Sequence, residues 1–489
     1  MELTSAQRDR AYGVLLATAA GDALGAPFEF GGTLGPDTKV AIDDEVSRRS
    51  IWETGEWTDD TSMAVAIAEV AATGADLRDE AAQDAIVRRW HQWAHDPGTK
   101  DVGIQTRRVL AAAGRRGLSA AAAREASAAM HQETGRSAGN GSLMRTAPVA
   151  LAYLDDEKGL VEAARAISAL THHDPDNADA CVLWCCAIRH AIMTGELDVR
   201  IGLDHLDPGQ RARWSALLDA AEQSRPSDFT NNGWVVEALQ AAWSAIATTP
   251  VPQEDPAAKV FRADHLRLAL EAAVRGGRDT DTVAAIAGGL LGAVHGASAV
   301  PAQWRRRLHG WPGWKARGLV GIAAAITRGG KPDTFDYGYV TISGEGPLAK
   351  HPHDDGVWVA GVRALQSLPD DVGAVVSLCQ VGDFDLPTTA EHLDVRLIDR
   401  PGANPNLDFV LHDTVRAIEQ FRAEGKTVLL HCVQAVSRTP SIAALYGARR
   451  KGITIDQALE EIAHVLPQAW PRDEFRRALQ RLHPGPDSS

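Results

Sequence analysis

The chain has 489 residues and a formal net charge of −14. This length exceeds what a single hydrophobic core usually supports, so two or three domains are expected. The acidic balance argues against generic binding to nucleic acid or to anionic membranes, because a protein that collects phosphates needs a surplus of Lys and Arg.

The cysteines and the N-terminal segment bear on where the protein works. Five cysteines are few for this length, odd in number and not arranged as a disulfide framework, which predicts a reducing, cytoplasmic location. The apolar run at residues 11–20 could belong to a signal peptide, but Glu2 and Asp9 precede it and Asp22 ends it, which disfavours that alternative. No stretch approaches the roughly 20 apolar residues of a membrane span, so no membrane association is expected.

From residue 6 to about residue 330 the sequence consists mainly of alanine-rich segments with helical spacing. We therefore predict an all-α domain over residues 1–330. The breaks between the segments contain Gly, Pro, Asn and Asp, and loops of this kind are where chemistry is expected. The predicted helices include residues 76–95, 118–130, 159–170, 178–194 and 232–247.

Two acidic, threonine-rich clusters stand far apart in this half. The first is Trp57-Thr58-Asp59-Asp60-Thr61 and the second is Arg278-Asp279-Thr280-Asp281-Thr282; each is followed at once by an apolar helical run. Asp and Thr are favoured at helix starts, which would explain either cluster alone. Two clusters of the same composition favour a Mg²⁺ or Mn²⁺ site instead, because these cations prefer oxygen ligands and buried like charges repel without a cation.

Other segments of the helical half are also unusual for simple turns. Residues 21–29 place Asp22 and Glu29 among small residues. Residues 139–145, GNGSLMR, form a turn rich in amide and hydroxyl groups, where glycine lets the backbone approach a ligand closely. The segment THHD at residues 171–174 follows further along the chain.

Residues 6 to about 330 resemble the ADP-ribosylglycohydrolase family, enzymes that remove ADP-ribose from modified side chains. The resemblance implies an all-α bundle around two Mg²⁺ or Mn²⁺ ions that acts on an ADP-ribosylated protein or a small-molecule ADP-ribose conjugate. The matching segments are GDALGAP at 21–27, WTDDTSM at 57–63, DVG at 101–103, GNGSLMR at 139–145, THHD at 171–174 and RDTDT at 278–282. By position, the implied metal ligands are Thr58, Asp59, Asp60, Asp279, Asp281 and Thr282.

The resemblance also implies how the site would work. The cations would grip ribose hydroxyls, orient a water and stabilise charge while the glycosidic bond breaks. Glu29 or an aspartate of the clusters, such as Asp60, would be the general base. For His172 and His173, loop or cap roles and nucleotide contacts are both open, and neither is expected to bind the metal. The expected substrate-binding residues are Gly139, Asn140, Gly141, Ser142, Met144, Arg145 and His172.

After a Gly-, Pro- and His-containing stretch at about residues 329–356, with the linker placed at 331–349, the pattern changes. Strands alternating with helices predict an α/β domain with a central, mostly parallel sheet over residues 350–489. The predicted strands are residues 374–378, 393–398 and 427–430, and the predicted helices are residues 407–424, 441–451 and 455–465.

The strand at 427–430 leads into His431 and Cys432, a short loop, Arg438 and then a helix. A cysteine followed by an arginine six residues later is a weak signal, but this order of elements is a strong one. The loop N–H groups and the helix N-terminus would lower the thiol pKa and hold a phosphoryl group, which Arg438 would grip through two oxygens. The alternative is an inert, buried cysteine at the end of a strand.

Residues from about 350 to 485 resemble the cysteine-dependent dual-specificity phosphatases. The resemblance implies a phosphorylated substrate, Cys432 as nucleophile and no cofactor, with Ser437 and Thr439 at the phosphoryl group. A loop aspartate about thirty residues upstream would protonate the leaving group, and Asp399 fits that spacing; Asp394 and Asp408 are alternatives. Ala435 stands where the family usually has Gly, which could tighten the pocket.

These patterns predict a bifunctional hydrolase with a metal-dependent glycohydrolase followed by a cysteine phosphatase. The fusion favours two sites that act on one pathway, for example on an ADP-ribose conjugate that also carries a phosphate monoester. In the alternative, one domain binds ADP-ribose or phosphate without turnover and positions the other. Cys181, Cys185 and Cys186 have apolar neighbours on one helix and are expected in the core.

Overall fold

The structure is a computed structural model that describes residues 2–48, 50–331, 346–382 and 389–485. These residues form two compact units. The second unit contains the residues from 346 onward together with two segments from earlier in the chain, Val251–Asp264 and Pro301–Arg306. Most of the predicted linker at 331–349 lies outside the described residues. Within the described ranges, no helix is long and apolar enough to cross a membrane.

The first unit is helical, as predicted, and its two short strands, β1 (His309–Gly310) and β2 (Trp314–Lys315), pair antiparallel. Most of its buried side chains are Ala, Leu, Val and Ile, as the alanine-rich pattern predicts. Its helices are α1 (Ser5–Gly25), α2 (Asp44–Ser47), α3 (Asp59–Ala71), α4 (Glu80–Ala94), α5 (Ile104–Gly114), α6 (Ala120–Thr134), α7 (Ala147–Ala152), α8 (Glu157–Ala169), α9 (Pro175–Thr194), α10 (Pro208–Glu222), α11 (Val235–Thr248), α12 (Asp264–Arg275), α13 (Thr280–His295) and, after the short α14 of the second unit, α15 (Ala316–Thr327).

Helices α1 and α13 are in close backbone contact at the centre of the first unit. A Cβ atom added to Gly21 would lie 2.1 Å from the carbonyl oxygen of Ala284, and one added to Gly25 would lie 2.5 Å from the Cα atom of Asp281. Only glycine permits this approach. The segment GDALGAP therefore brings Asp22 of α1 against the start of α13.

The second unit has a five-stranded sheet in the order β3-β4-β7-β5-β6. Strands β3 and β4 pair antiparallel and the remaining pairs are parallel, so the predicted mostly parallel sheet is confirmed. The strands are β3 (Leu348–His351), β4 (Asp354–Gly361), β5 (Val372–Ser377), β6 (Glu391–Asp394) and β7 (Thr427–Cys432). The helices are α14 (Ala302–Arg305), α16 (Leu407–Ala423), α17 (Arg438–Lys451), α18 (Ile455–Val465) and α19 (Asp473–Leu482).

Two local predictions for this unit need correction. The strand predicted at 393–398 lies at Glu391–Asp394 instead, because Arg396 has φ 55° and cannot continue an extended strand. Residues 348–356, predicted as part of the connection between domains, form β3 and the start of β4.

The early segment Pro301–Arg306 is bonded into the second unit. The backbone N–H of Ala302 donates to Asp413 Oδ2 at 2.7 Å. The guanidinium of Arg306 donates to Glu391 at 2.7 Å and Glu424 at 2.8 Å, and it lies 3.9 Å from the centre of the Phe421 ring. Arg306, which belongs to the helical half of the sequence, therefore forms ion pairs with two carboxylates of the second unit.

Candidate active sites

The two acidic clusters meet in the first unit, although 223 positions separate Thr58 from Asp281. Thr58 Oγ1 lies 2.9 Å from Asp60 Oδ2 and 3.5 Å from Asp281 Oδ2. Two groups of carboxylates overlap here, each with oxygens within 4.8 Å of one another: Asp22, Asp60 and Asp281, and Glu29, Asp279 and Asp281. Because Asp281 belongs to both groups, the two clusters form one continuous acidic site.

Asp22 positions the first cluster. Its two carboxylate oxygens accept the backbone N–H groups of Thr58 and Thr61, each at 2.9 Å. These N–H groups belong to the first turn of α3 and have no partner within the helix, so Asp22 caps α3 from the neighbouring α1. The predicted site residues omitted Asp22. An aspartate on the apolar face of a buried helix was the available signal.

The aspartates at the centre of the site are destabilised as anions. Burial, and then the charges of Asp22 and Asp59, hold the pKa of Asp60 well above its ordinary value. Burial, and then the charge of Asp60, does the same for the pKa of Asp281. Asp60 Oδ1 is also buried without a hydrogen-bond partner among the residues described. A cation would relieve both the repulsion and the missing partner.

Glu29 and Asp59 lie in the same electrostatic environment. Burial, followed by the charge of Asp279, raises the pKa of Glu29 to about 8. Burial, followed by the charge of Asp101, raises the pKa of Asp59 to about 7. Asp101 therefore belongs to the acidic surroundings of the site, although the predicted site residues did not include it; its segment was part of the family resemblance.

The donor set can hold hard divalent cations. Its atoms are carboxylate oxygens and the hydroxyls of Thr58 and Thr282, and the latter hydrogen-bonds to the Asp60 carboxylate. Mg²⁺ and Mn²⁺ prefer such oxygen ligands. Together with the unpartnered Asp60 oxygen, this chemistry fits the cations that the sequence predicts.

We expect the metal-free first unit to lose stability as the pH rises. A carboxyl whose pKa is raised by folding contributes stability while it is protonated, and this contribution is lost between its unfolded pKa of roughly 4 and its folded pKa. For Asp59 and Glu29 the folded values are about 7 and about 8. In EDTA, the Tm from scanning fluorimetry should fall between about pH 5 and pH 8. Added Mn²⁺ should raise it more at pH 8 than at pH 5; an equal rise at both would contradict the assignment.

Two asparagines join the glycine-rich loop at 139–145 to the second cluster. Asn140 Nδ2 donates to Asp279 Oδ2 at 2.8 Å and to the carbonyl of Asn232 at 3.0 Å. Asn232 Oδ1 accepts the backbone N–H of Asp279 at 3.2 Å. The predicted loop residue Asn140 therefore lies at the acidic site. Asn232 was not predicted, because nothing in its local sequence distinguishes it from a turn residue.

The remainder of the loop is held against α9 and His172. Asn177 Nδ2 donates to the carbonyl of Gly139 at 2.7 Å and to Ser142 Oγ at 2.8 Å. A Cβ atom on Gly141 would lie 2.9 Å from His172 Cε1, so glycine is needed where the loop crosses the ring. Burial, and then the charge of Arg145, holds the pKa of His172 well below its ordinary value. His172 is therefore a neutral support beneath the loop.

Met144 and Arg145 face the protein interior. Arg145 is completely buried, donates to Thr171 Oγ1 at 2.7 Å and lies 4.0 Å from the centre of the Trp90 ring. Burial lowers its pKa to about 9, so it remains a cation at neutral pH. Both residues support the loop from below, and their assignment as substrate-binding residues stays a prediction.

The second site lies where β7 ends and α17 begins. Cys432 is the last residue of β7 and only 3% exposed, and Arg438 is the first residue of α17. The Nη1 atom of Arg438 donates to the carbonyls of Leu378 at 3.1 Å and Leu397 at 2.8 Å. Its Nε atom is buried and has no partner within the described part of the chain. The guanidinium is thus fixed in place with a donor left for an anion.

Hydroxyl groups on the loop and its helix are also held by neighbours. Thr439 Oγ1 donates to the carbonyl of Ala360 at 3.3 Å, and Ser437 Oγ accepts the backbone N–H of Arg472 at 3.3 Å. Both predicted residues therefore lie at the start of α17 with Arg438. Their contacts with a phosphoryl group stay a prediction.

The three aspartates considered as general acid are all ion-paired. Asp394 pairs with Arg396, Asp408 with Arg481, and Asp399 with Arg472 at 2.9 Å. Arg472 is the residue whose N–H also binds Ser437 of the loop. Asp399 is thus linked to the loop through Arg472, whose side chain binds Asp399 and whose backbone N–H binds Ser437, which supports the choice of Asp399.

The residue before Cys432 is part of a buried polar group. His431 Nε2 lies 2.6 Å from Ser377 Oγ, which lies 2.8 Å from His392 Nε2. Burial, and then the charge of His392, lowers the pKa of His431 to about 3. A neutral imidazole therefore stands beside the cysteine. Ser377 could not be identified from sequence, because only the parallel pairing of β5 with β7 brings it to His431.

Ala435 adopts the left-handed backbone conformation that glycine favours, with φ 54°. We expect Ala435→Gly to remove roughly 1–2 kcal/mol of steric cost, partly offset by the greater freedom of glycine in the unfolded chain. The free energy of unfolding of the second unit, measured in urea, should rise by up to about 1 kcal/mol. Ala448→Gly, within α17, is the control and should lower it by about 1 kcal/mol. Equal losses in both variants would show that Ala435 carries no such cost.

Comparisons with known proteins relate two parts of the chain to two different groups of proteins. The family model described as ADP-ribosylglycohydrolase matches residues 3–332. ADP-ribosylarginine hydrolase Tri1 of Pseudomonas putida (strain GB-1) is 27% identical over 303 residues, which are 60% of this chain and 73% of that protein. ADP-ribosyl-[dinitrogen reductase] glycohydrolase of Rhodospirillum rubrum is 28% identical over 61% of this chain and 90% of that protein.

The C-terminal portion is similar to dual-specificity phosphatases. Dual specificity protein phosphatase 1 of Arabidopsis thaliana is 33% identical over 88 residues, which are 18% of this chain and 43% of that protein. The chain thus spans less than half of this relative.

Among solved structures, an ADP-ribosylglycohydrolase-related protein complex aligns with 26% identity and a TM-score of 0.49, covering 66% of this chain and 99% of that one.

Proposed function

Because the chain belongs to the ADP-ribosylglycohydrolase family and is a hydrolase, we propose that its first unit cleaves the glycosidic bond of ADP-ribosylated substrates with the aid of two Mg²⁺ or Mn²⁺ ions. The observation that carries this proposal is the convergence of two distant acidic clusters on Asp281. Buried carboxylates packed this closely are stable as anions only beside cations.

The residues that would hold the cations are Thr58, Asp59, Asp60, Asp279, Asp281 and Thr282. Bound there, the cations would supply Lewis acidity toward the ribose hydroxyls and toward a water. The chain itself orients the ligands: Asp22 holds the first turn of α3, and Asn140 holds the Asp279 carboxylate. The site is therefore pre-organised by one accepting carboxylate and one donating amide, neither of which is among the six ligands named above.

We favour Glu29 over Asp60 as the acid–base group. Asp60 is completely buried and accepts a hydrogen bond from Thr58, whereas Glu29 is only half-buried and lies beyond the end of α1 at Gly25. A group that exchanges a proton with water or substrate has to be reachable. In the metal-free protein, burial and the charge of Asp279 raise the pKa of Glu29 to about 8, and cations bound nearby would lower it again.

The loop at 139–145 would receive the ADP-ribosyl group. Its glycines let a ligand approach the backbone closely, and Asn140 connects the loop to the acidic site. The relatives named as ADP-ribosylarginine hydrolases support an arginine conjugate as the substrate.

Turnover of defined conjugates tests this proposal. The chain should release ADP-ribose from ADP-ribosyl-arginine in the presence of Mg²⁺ or Mn²⁺, as measured by chromatography. ADP-ribosyl-serine is the comparison that identifies the bond. Tight binding of free ADP-ribose without turnover of either conjugate would instead support the alternative in which this unit only binds ADP-ribose.

We further propose that the second unit hydrolyses phosphate monoesters through Cys432. The thiolate would attack phosphorus, so that a P–S bond forms while the P–O bond to the leaving group breaks. Asp399 would give its proton to the departing oxygen. Water would then attack phosphorus and give a proton to the Asp399 carboxylate, the P–S bond would break, and the Thr439 hydroxyl would assist the departing thiolate.

The arrangement of Cys432, a short loop and Arg438 carries the second proposal. The loop N–H groups and the start of α17 favour an anion, and the unpartnered Nε of Arg438 can donate to it. Hydrolysis of 4-nitrophenyl phosphate, inhibition by orthovanadate and protection of Cys432 from iodoacetamide by phosphate are expected. Phosphate protection without hydrolysis would instead support a unit that only binds phosphate.

We also propose a location for the protein and a class of substrate for each unit. The five cysteines are all free and buried, which supports a cytoplasmic location. We propose an ADP-ribosylated protein or small-molecule conjugate for the first unit and a phosphorylated substrate for the second. A conjugate that carries both groups would connect the two reactions, and its stepwise breakdown should stall at a different product in Cys432→Ser and in Asp281→Ala.

A further inference from the structure

Strand β6 ends at the edge of the sheet where the phosphatase loop begins. Its last residue, Asp394, is in register with Ser377 of β5, and Ser377 is in register with His431 of β7. These three strands are parallel, so their carboxyl ends meet at one edge, and Cys432 is the next residue after His431. The backbone at Asp394 therefore lies in the same row as the backbone that carries the nucleophile.

The segment that follows β6 holds the arginine of the phosphate-binding loop. The backbone N–H of Val395 donates to the carbonyl of Ser377 at 2.9 Å, which continues the contact with β5 beyond the end of the strand. The carbonyl of Leu397 accepts from Arg438 Nη1 at 2.8 Å. The orientation of the Arg438 guanidinium thus depends on where the end of β6 places the Leu397 carbonyl.

A side chain from the early segment Pro301–Arg306 is bonded to the end of β6. Arg305 of α14 donates from Nη1 to the carbonyl of Asp394 at 2.7 Å. Its side chain is only 10% exposed and lies 3.9 Å from Asp413 Oδ2, which also accepts the backbone N–H of Ala302 at 2.7 Å. A buried hydrogen bond from a charged donor is strong and directional. Helix α14 is thereby fixed to β6 at the end of the strand nearest the site.

We propose that Arg305 is a positioning residue for the phosphatase reaction, which sets the phosphate affinity of Arg438 through the backbone of residues 394–397. This inference rests on the proposed phosphatase function. Arg305 acts through Asp394 and Leu397 and not on the substrate. It lies within residues 3–332, the range that the ADP-ribosylglycohydrolase family model matches. The phosphatase reaction therefore depends on a residue that precedes the predicted phosphatase domain.

The test measures the grip on phosphate in the full chain. In Arg305→Met, the Ki of inorganic phosphate should rise roughly 3- to 10-fold, because even a small displacement of a group that positions the substrate is costly. The KM for 4-nitrophenyl phosphate should rise with it. A variant that is merely unfolded in part would behave differently, since a smaller folded fraction lowers the apparent kcat and leaves KM and Ki unchanged.

Arg306→Met is the matched control, because Arg306 is the next residue of the same segment and binds Glu391 at the start of β6. It supports the same strand at the end away from the site. The substitution should lower the Tm, since a buried ion pair is broken. The Ki of phosphate should nevertheless stay within about twofold of the wild type.

Asp413→Ala is a second variant that acts on the same contact without replacing Arg305. Removing the Asp413 carboxylate releases the start of α14 and should raise the Ki of phosphate in the same direction. In Arg305→Met/Asp413→Ala, the Ki should exceed that of Arg305→Met by less than about twofold, because both substitutions act through one hydrogen bond to Asp394.

The outcomes separate this inference from the function on which it rests. If the wild type does not hydrolyse 4-nitrophenyl phosphate, the phosphatase proposal itself is wrong. If it does and Arg305→Met changes the Ki of phosphate less than about twofold, the positioning role is wrong. An equal rise in Ki in Arg305→Met and Arg306→Met would also contradict it, because general support of β6 would then suffice. Should Arg305→Met fail to fold, an unchanged Ki in Asp413→Ala would overturn the proposal.

Discussion

Replacing Cys432 with serine is expected to reduce phosphate monoester hydrolysis roughly 10³-fold or more, because a hydroxyl is a far weaker nucleophile than a thiolate at neutral pH. Initial rates with 4-nitrophenyl phosphate measure the loss. Phosphate should still bind, since Arg438 and the loop N–H groups are unchanged. ADP-ribose release by the same variant should equal that of the wild type.

Cys379→Ala is the matched control, because Cys379 is the other cysteine of the second unit and is also buried. Burial raises its pKa to about 12, so it is a neutral thiol and not a nucleophile. The control should keep most of the phosphatase activity. Loss of activity in Cys379→Ala but not in Cys432→Ser would show that Cys432 is not the nucleophile.

Replacing Asp281 with asparagine is expected to reduce ADP-ribose release roughly 10²-fold or more, because the carboxylate common to both acidic groups is lost. The substitution keeps the shape of the side chain. It also removes a buried carboxyl group. Burial, and then the charge of Asp60, holds the pKa of this carboxyl well above its ordinary value, so its anion is unfavourable without a cation. The metal-free variant should therefore be at least as stable as the wild type at pH 8, while the rise in Tm with Mn²⁺ is lost.

The two stability measurements make this prediction specific. A variant that merely misfolds would have a lower Tm in EDTA, which contradicts the electrostatic account. Asp156→Asn is the control, since Asp156 caps α8 outside the acidic site and asparagine is also a good N-cap. It should keep both the activity and the response to Mn²⁺. Phosphatase activity should be unchanged in both variants.

Much of the fold could be predicted from local patterns. The spacing of alanine-rich segments predicted the helices of the first unit, and the run at 427–430 identified β7 to within two residues at its end. Pairings between distant segments could not be read in this way. Strand β3 lies in a Gly- and His-containing stretch, and its role depends on pairing with β4. Likewise, only folding brings Arg306 to Glu391 and Glu424.

The candidate sites show the same limit. Composition and motif order identified the two acidic clusters and the Cys432 loop, because the polar and charged residues of each are adjacent in the sequence. Asp22, Asn232 and Ser377 act through partners that are distant in sequence, so only the structure reveals them. The burial of the Arg145 side chain is likewise visible only in the structure, and its assignment as a substrate-binding residue stays a prediction.

We propose that one chain carries two independent hydrolytic sites, one that needs divalent metal and one that does not. The most direct measurement assays both reactions on the same wild-type sample, with and without EDTA. We predict that EDTA abolishes release of ADP-ribose, that Mn²⁺ or Mg²⁺ restores it, and that hydrolysis of 4-nitrophenyl phosphate is unchanged throughout. ADP-ribose release that persists in EDTA, or phosphate release that is lost with it, would contradict the account.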